Sequence, residues 1–212
     1  MIAIPLVTLI HISLNKYRPD VHNISTIIDD VIPFKAVFSL PYMYWFAFLS
    51  VVLLYFAIVD AKNYFRLLAS VITGMCICFI IFYLFPTTVP RPNVVGNDVL
   101  SRLVRYIYST DNPYNCFPSI HVLDAFLPAL FLCKFNKNMI VKVVAVVSFV
   151  AITLSTVFIK QHYVLDAAAS IVLGASMYLL FSNDYLWNKM PIQRVVDFLI
   201  PAKLKDNSAD IE

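Results

Sequence analysis

The feature that most limits how this chain can fold is a succession of sparsely charged apolar runs. There are about six, close to the roughly 20 residues that a bilayer crossing requires. They cover Ile2–Leu14, Leu40–Val59, Leu67–Phe85, Ile120–Cys133, Ile140–Phe158 and Tyr163–Phe181. The first and fourth are short for a full crossing, and Pro128 inside the fourth predicts a kink. Of the 212 residues, 60% are hydrophobic and only 14% charged, and the mean hydropathy is +0.78. A water-soluble core of this size has no room for that much apolar surface, so a bilayer is the natural solvent. The expected fold is all-α, a polytopic membrane protein built as a bundle of about six transmembrane helices. No repeat or linker interrupts it. Residues 1–202 read as a single transmembrane domain, and residues 203–212 as a polar C-terminal tail. The stretch Met1 to Leu14 lacks the basic leading region and small-residue cleavage site of a signal peptide, and reads as a short first span.

The net charge of +3 is too small, and its cations too scattered, for a nucleic-acid partner. Cys76, Cys78, Cys116 and Cys133 lack the paired spacing of a zinc site and read as small apolar residues. Neither a metal nor a cofactor is expected. Alternating spans sort the loops into two groups. One holds the N-terminus, the Asp60–Arg66 and Lys134–Asn138 turns and the tail, with Lys62, Arg66, Lys134, Lys137, Lys203 and Lys205 among its cations. The other holds Asn15–Ser39, Pro86–Ser119 and Lys160–His162. The positive-inside rule makes the first group cytoplasmic and the second extracytoplasmic, as expected of a multi-pass protein of the cell membrane.

Every unusual polar cluster falls in the second group. His162 and Asp166 are four residues apart, so on a helix they share a face. A carboxylate beside an imidazole fixes its tautomer and leaves the other nitrogen free to attack or to bind a metal. Asp166 also lies one turn into an apolar run, where an ionised carboxylate is costly without a partner or a task. Ser119 reads as a helix N-cap, with His121 in the first turn behind it, where free N–H groups favour an oxyanion and an imidazole can protonate a leaving group. Arg91 stands between Pro90 and Pro92, which restrict the backbone around a guanidinium suited to phosphate. Lys160 adds a second cation. Blander readings stand beside these: an interfacial histidine at a helix end, a capped membrane helix, and cations snorkelling to head groups. The last suits Arg102 and Arg105 better than Arg91. Combined, the parts are a nucleophilic imidazole with its orienting carboxylate, an acid imidazole, and positive charge for anionic oxygens, which is the equipment of phosphoryl transfer through a phospho-histidine.

Three segments carry a resemblance: Arg91-Pro92; Pro118-Ser119 with His121; and Ser155 with His162 and Asp166. In order and spacing they resemble the motifs of the type 2 phosphatidic acid phosphatase superfamily, over roughly Phe79 to Gly174. Leu84 stands where that family has a leading Lys, Ile120 where it has Gly, and Thr156 where it has Arg. The segments Phe-Pro-Ser-Ile-His and Lys-Gln-His-Tyr-Val-Leu-Asp, with Ile32-Pro33-Phe34 and Pro41-Tyr42, look most like the inositol phosphorylceramide synthase branch. The resemblance implies His162 as nucleophile, Asp166 as its orienter and His121 as general acid. It implies Arg91, Lys160 and Ser119 as phosphate binders. It also implies a lipid phosphate as substrate, with water as acceptor in a phosphatase or a polyol such as inositol in a phosphotransferase. Two other classes compete. A transporter would use the buried His and Asp as a proton relay, and a metal site would use His121, His162 and Asp166 as ligands.

Overall fold

A computed structural model describes residues 13–16, 19–191, 193 and 196. Most of the run Ile2–Leu14 and all of the tail 203–212 lie outside the described residues. The described chain is helical, apart from isolated bridges between loops. We label its helices α1 (Ile27–Val31), α2 (Ser39–Val59), α3 (Ala61–Leu84), α4 (Val99–Thr110), α5 (Ile120–Phe135), α6 (Met139–Phe158), α7 (Val164–Ser182) and α8 (Asp184–Lys189).

Local chemistry sets most of the boundaries. Asp60, Asp98, Ser119, Asn138 and Asn183 each cap the helix that follows by accepting a first-turn N–H. Among the described residues, four helical segments are long and apolar enough to cross a membrane: Ala36–Val59, Ala61–Leu84, Met139–Phe158 and Val164–Ser182. Their outward faces carry Phe46, Leu54, Ile80, Val147, Val172 and Leu179, all exposed. Exposed apolar surface of that extent is untenable in water and ordinary against lipid.

The fourth run of the sequence behaves differently from a spanning helix. α5 has 16 residues and contains Pro128. It rises about 24 Å, short of the roughly 30 Å hydrocarbon layer. Instead of facing lipid it forms the axis of the bundle, in contact with α2, α3, α6 and α7. Val122, Leu123, Ala125, Leu127 and Phe131 are fully buried along it. Glycines bring the neighbours close. A Cβ on Gly74 of α3 would lie 2.9 Å from the Leu123 side chain, and one on Gly174 of α7 would lie 2.7 Å from Phe126. Small residues at such crossings let helices in lipid pack by contact, since burial from water supplies little there.

Polar groups gather at the two ends of this bundle. At one end Arg66, 1% exposed, donates to Asp184 at 2.5 Å and lies over the Trp187 ring, while Lys62 reaches the same carboxylate at 3.0 Å. There too Lys134 donates to the carbonyl of Ser182. The hydrogen bond from Arg66 and the charges of both cations hold the Asp184 carboxyl down at about 2. A carboxyl that titrates lower folded than unfolded contributes stability above about pH 4, and that contribution is lost as the pH falls toward 2. Because Asp184 is largely exposed, we discount the pair to about 1 kcal/mol. Asp184→Asn is therefore expected to lower the melting temperature in detergent by about 2–4 °C at pH 7. The gap from the wild type should narrow below about pH 4; a gap independent of pH would show that the pair contributes nothing.

Candidate active site

The opposite end is assembled from loops that the sequence separates widely. Thr87 holds two of them together: its Oγ1 accepts from the N–H groups of Cys116 and Phe117, and its carbonyl accepts from Asn115. Asn115 has φ 56°, a left-handed conformation that Asn tolerates, and its side chain donates to the carbonyl of Leu14.

His162 is delivered by the way α6 ends. Lys160 takes φ 55°, its N–H reaches the carbonyl of Val157 at 3.1 Å, and the N–H of Gln161 reaches that of Thr156 at 2.9 Å. This pair of reversed bonds is a Schellman close, with Lys where Gly is usual. The chain then turns directly into α7. Asp166, with 0% exposure in the first turn, accepts the N–H of Tyr163 at 2.9 Å through Oδ2. The same oxygen lies 3.2 Å from Nδ1 of His162, and the carbonyl of Cys116 lies 2.9 Å from that nitrogen. Both partners are acceptors, so Nδ1 carries the proton and Nε2 is left as a bare lone pair.

His121 is brought to meet it by Ser119. The Ser119 N–H donates to the carbonyl of Asp166 at 3.3 Å, its own carbonyl accepts from Ser170 at 2.8 Å, and its Oγ caps Val122. The first turns of α5 and α7 are thereby stapled side by side. Nδ1 of His121 stands 3.3 Å from Nε2 of His162, and Trp45 and Tyr42 pack on the His121 ring. Arg91 reaches the same wall: one terminal nitrogen donates to the Tyr108 carbonyl at 3.1 Å and the other to Gln161 Oε1, with the guanidinium 4.5 Å over the Tyr108 ring. Burial pushes the Tyr108 hydroxyl up to about 12, against the opposing pull of Arg91, so that ring stays neutral beneath the cation. Gln161 is 2% exposed, and its Nε2 has no protein partner.

The two histidines and Gln161 border a cavity. Its apolar wall is Trp45, Met75, Phe82 and Ile120, and its polar rim includes Asp111, Asn112, Asn115, Gln161 and both histidines. Cys116 also lines it, but burial, reinforced by the charge of Asp166, pushes its thiol up, so no thiolate competes as nucleophile.

Of the site residues expected from sequence, His121, His162, Asp166 and Ser119 converge directly, and Arg91 joins them through Gln161. Lys160 does not. Its ammonium donates to the carbonyls of Asp29 at 2.9 Å and Ile32 at 2.6 Å, turned toward the end of α1. The left-handed turn aims the side chain that way, and the two orphan carbonyls at the helix end hold it there. Three residues that sequence reasoning did not assign to the chemistry also belong here: Tyr42, Asp111 and Gln161. Tyr42 lies in the Pro41-Tyr42 pair and Gln161 in the Lys-Gln-His-Tyr-Val-Leu-Asp segment that carry the resemblance, and Asp111 lies in the Pro86–Ser119 loop. Asp166 meets Nδ1 and His121 meets Nε2 of His162, on opposite edges of one ring, so these three side chains do not converge on one point. Among the described residues, no three His, Cys, Asp or Glu side chains are grouped to hold an ion.

The placement of Lys160 yields a test. Lys160→Met is expected to destabilise the protein by about 1.5–3 kcal/mol, through lost charged hydrogen bonds, while leaving KM for a phosphate substrate within about threefold of the wild type. A loss of kcat/KM by about a hundredfold, with an unchanged melting temperature, would make Lys160 a phosphate ligand after all; each tenfold corresponds to about 1.4 kcal/mol.

A profile of the PAP2 superfamily matches residues 20–180 and so takes in every residue of this site. No curated protein and no solved structure gives a significant match to the chain. Members of the superfamily are phosphoesterases and phosphotransferases. With the match running from before α1 almost to the end of α7, this chain belongs to the PAP2 superfamily.

Proposed function

We propose that the protein removes phosphate from a lipid phosphate of the phosphatidate or prenyl phosphate kind, through a phospho-histidine on His162. The observation that carries this reading is the pairing of two imidazoles at 3.3 Å, one of them held by a buried carboxylate on its far side. In the first step Nε2 of His162 attacks phosphorus, the bond to the leaving oxygen breaks, and His121 gives that oxygen a proton. In the second step water attacks the same phosphorus, His121 takes the proton back, and the P–N bond breaks to release phosphate. Asp166 stays ionised and stabilises the imidazole as it becomes positive. Arg91 and the N-terminus of α5 offset charge on the phosphoryl oxygens. The apolar wall of Trp45, Met75, Phe82 and Ile120 suits a lipid chain, so that the head group meets the histidines at the end of the bundle. We further propose that this end faces away from the cytoplasm, because the short loops at the other end carry Lys62, Lys134 and Lys137.

A second reading is a phosphotransferase of the inositol phosphorylceramide synthase kind, in which a polyol hydroxyl replaces water. The polar rim favours it. The side-chain oxygen of Asn115 is buried without a protein partner, an acceptor suited to a hydroxyl rather than to a phosphate.

Purified protein incubated with a panel of lipid phosphates and phosphodiesters, with and without inositol, separates the two by product: free phosphate for the first, a new phosphodiester for the second. His162→Ala is expected to remove turnover while the protein still folds, and Asp166→Asn to reduce it by about 10²–10⁴-fold. A chelator should leave the rate unchanged. Retained activity in a clean His162→Ala preparation would overturn the assignment of the nucleophile, and a chelator-sensitive rate would reopen metal catalysis. Absence of product from every donor would favour transport.

A further inference from the structure

The facing imidazoles leave one proton to be placed. On His162, Nδ1 is held by two acceptors, so Nε2 of the neutral ring is bare. On His121, Nε2 lies 2.9 Å from the Tyr42 hydroxyl, which itself lies 2.8 Å from Oδ2 of Asp111. The phenol has one proton, and the carboxylate is the stronger acceptor. Tyr42 therefore offers its lone pair to His121, and Nε2 must be the donor. What remains is His121 Nδ1 and His162 Nε2, 3.3 Å apart. Two bare nitrogens at that separation repel, whereas one N–H between them satisfies both. That proton can sit on either ring; on His162 it would consume the lone pair needed for attack, so a pair competent for phosphoryl transfer has it on His121, which then carries protons on both nitrogens.

The surroundings favour that cation. Asp111 Oδ2 is 3.9 Å from His121 Nε2, and the two side chains are only 23% and 12% exposed, so water screens the attraction weakly. The other oxygen of Asp111 accepts from Asn15 at 2.7 Å, which fixes the carboxylate. Tyr42 is 3% exposed and packed with Ile107 and Ile159. Among the described residues, the groups around His121 include Tyr42 and Trp45 from α2, Asp111 after α4, the Cys116 thiol before α5, and His162 backed by Asp166 before and within α7. Arg91 opposes the cation from behind Gln161, and Lys160 is turned away.

We propose that Tyr42 and Asp111 are positioning residues that keep His121 doubly protonated, with its Nδ1–H aimed where the leaving oxygen of the substrate arrives. The proposal rests on the phosphoryl-transfer reading for its chemical purpose. When a phosphoryl group enters between the rings, Nε2 of His162 is freed to form the P–N bond, and the Nδ1 proton passes to the departing oxygen. Asp111 stays ionised and Tyr42 keeps its proton.

Two measurements test it. In the first, kcat and the pH profile of kcat/KM are recorded for wild type and Tyr42→Phe, with an alkyl lipid phosphate and with 4-nitrophenyl phosphate, whose leaving group needs no acid. Turnover of the alkyl ester should fall about 10²-fold, and that of the aryl ester less than about threefold. The alkaline limb should move to lower pH by about one unit. Equal losses on both esters with an unmoved limb would reduce Tyr42 to a packing role. The second measurement needs no substrate: nitrogen-15 NMR of the full-length, histidine-labelled chain in detergent at pH 7, with residue 121 assigned by its loss in His121→Gln. Both ring nitrogens of His121 should be protonated in the wild type, and only one in Tyr42→Phe and in Asp111→Asn. A singly protonated wild-type His121 would overturn the proposal. Failure of the wild type to turn over any phosphate would instead count against the reaction, and the protonation state would still decide the relay.

Discussion

Asp166 is the residue on which the site depends. It is fully buried one turn inside an apolar helix, where an ionised carboxylate is costly unless its environment repays it. Three bonds do so. The side chain takes the N–H of Tyr163 and holds Nδ1 of His162, while the backbone carbonyl takes the N–H of Ser119. The first fixes the start of α7, the second fixes the tautomer of one histidine, and the third pins the start of α5, from which the other histidine projects. One residue thus joins helix capping, ring orientation and interhelical register. Substituting its side chain disturbs both the helix start and the histidine, which is why a loss of activity at this position would be harder to interpret than one at His162.

The bundle explains why such a site sits at an end rather than at mid-membrane. α5 runs between the two ends of the bundle but is shorter than the helices that wrap it, so its N-terminus opens into a recess walled by loops. Helix N-termini offer N–H groups and positive dipole ends, and two of them converge there. In the proposed reaction an anionic head group would meet those N–H groups, and an apolar chain would meet Trp45, Met75 and Phe82.

Much of this is legible in the sequence, for physical reasons. Long apolar runs admit few structures besides membrane helices, and Asp60, Asp98, Ser119 and Asn138 announce helix starts by capping chemistry that acts within three residues. The His162–Asp166 pair follows from helical periodicity alone. The convergence of His121 and His162 follows from counting alternating spans, since both begin helices on one side. What stayed hidden depends on distance or on side-chain direction. Tyr42 and Asp111 are 69 residues apart, and each is unremarkable in its own segment. Lys160 lies two residues from His162 in sequence, yet a left-handed turn sends its ammonium to carbonyls 128 and 131 residues away. α5 satisfied the apolar pattern of a span but not its length, and only packing shows that it is an axis rather than a lipid-facing helix.

The claim at the centre is that Nε2 of residue 162 becomes bonded to phosphorus during turnover. The most direct measurement is a rapid acid-free quench of the wild-type protein turning over a radiolabelled lipid phosphate, followed by mass spectrometry of the proteolysed chain. The account predicts a phosphoryl group, stable to alkali and labile to acid, on the peptide that contains His162. Label on a serine, tyrosine or cysteine, or steady turnover with no covalent adduct at all, would contradict it.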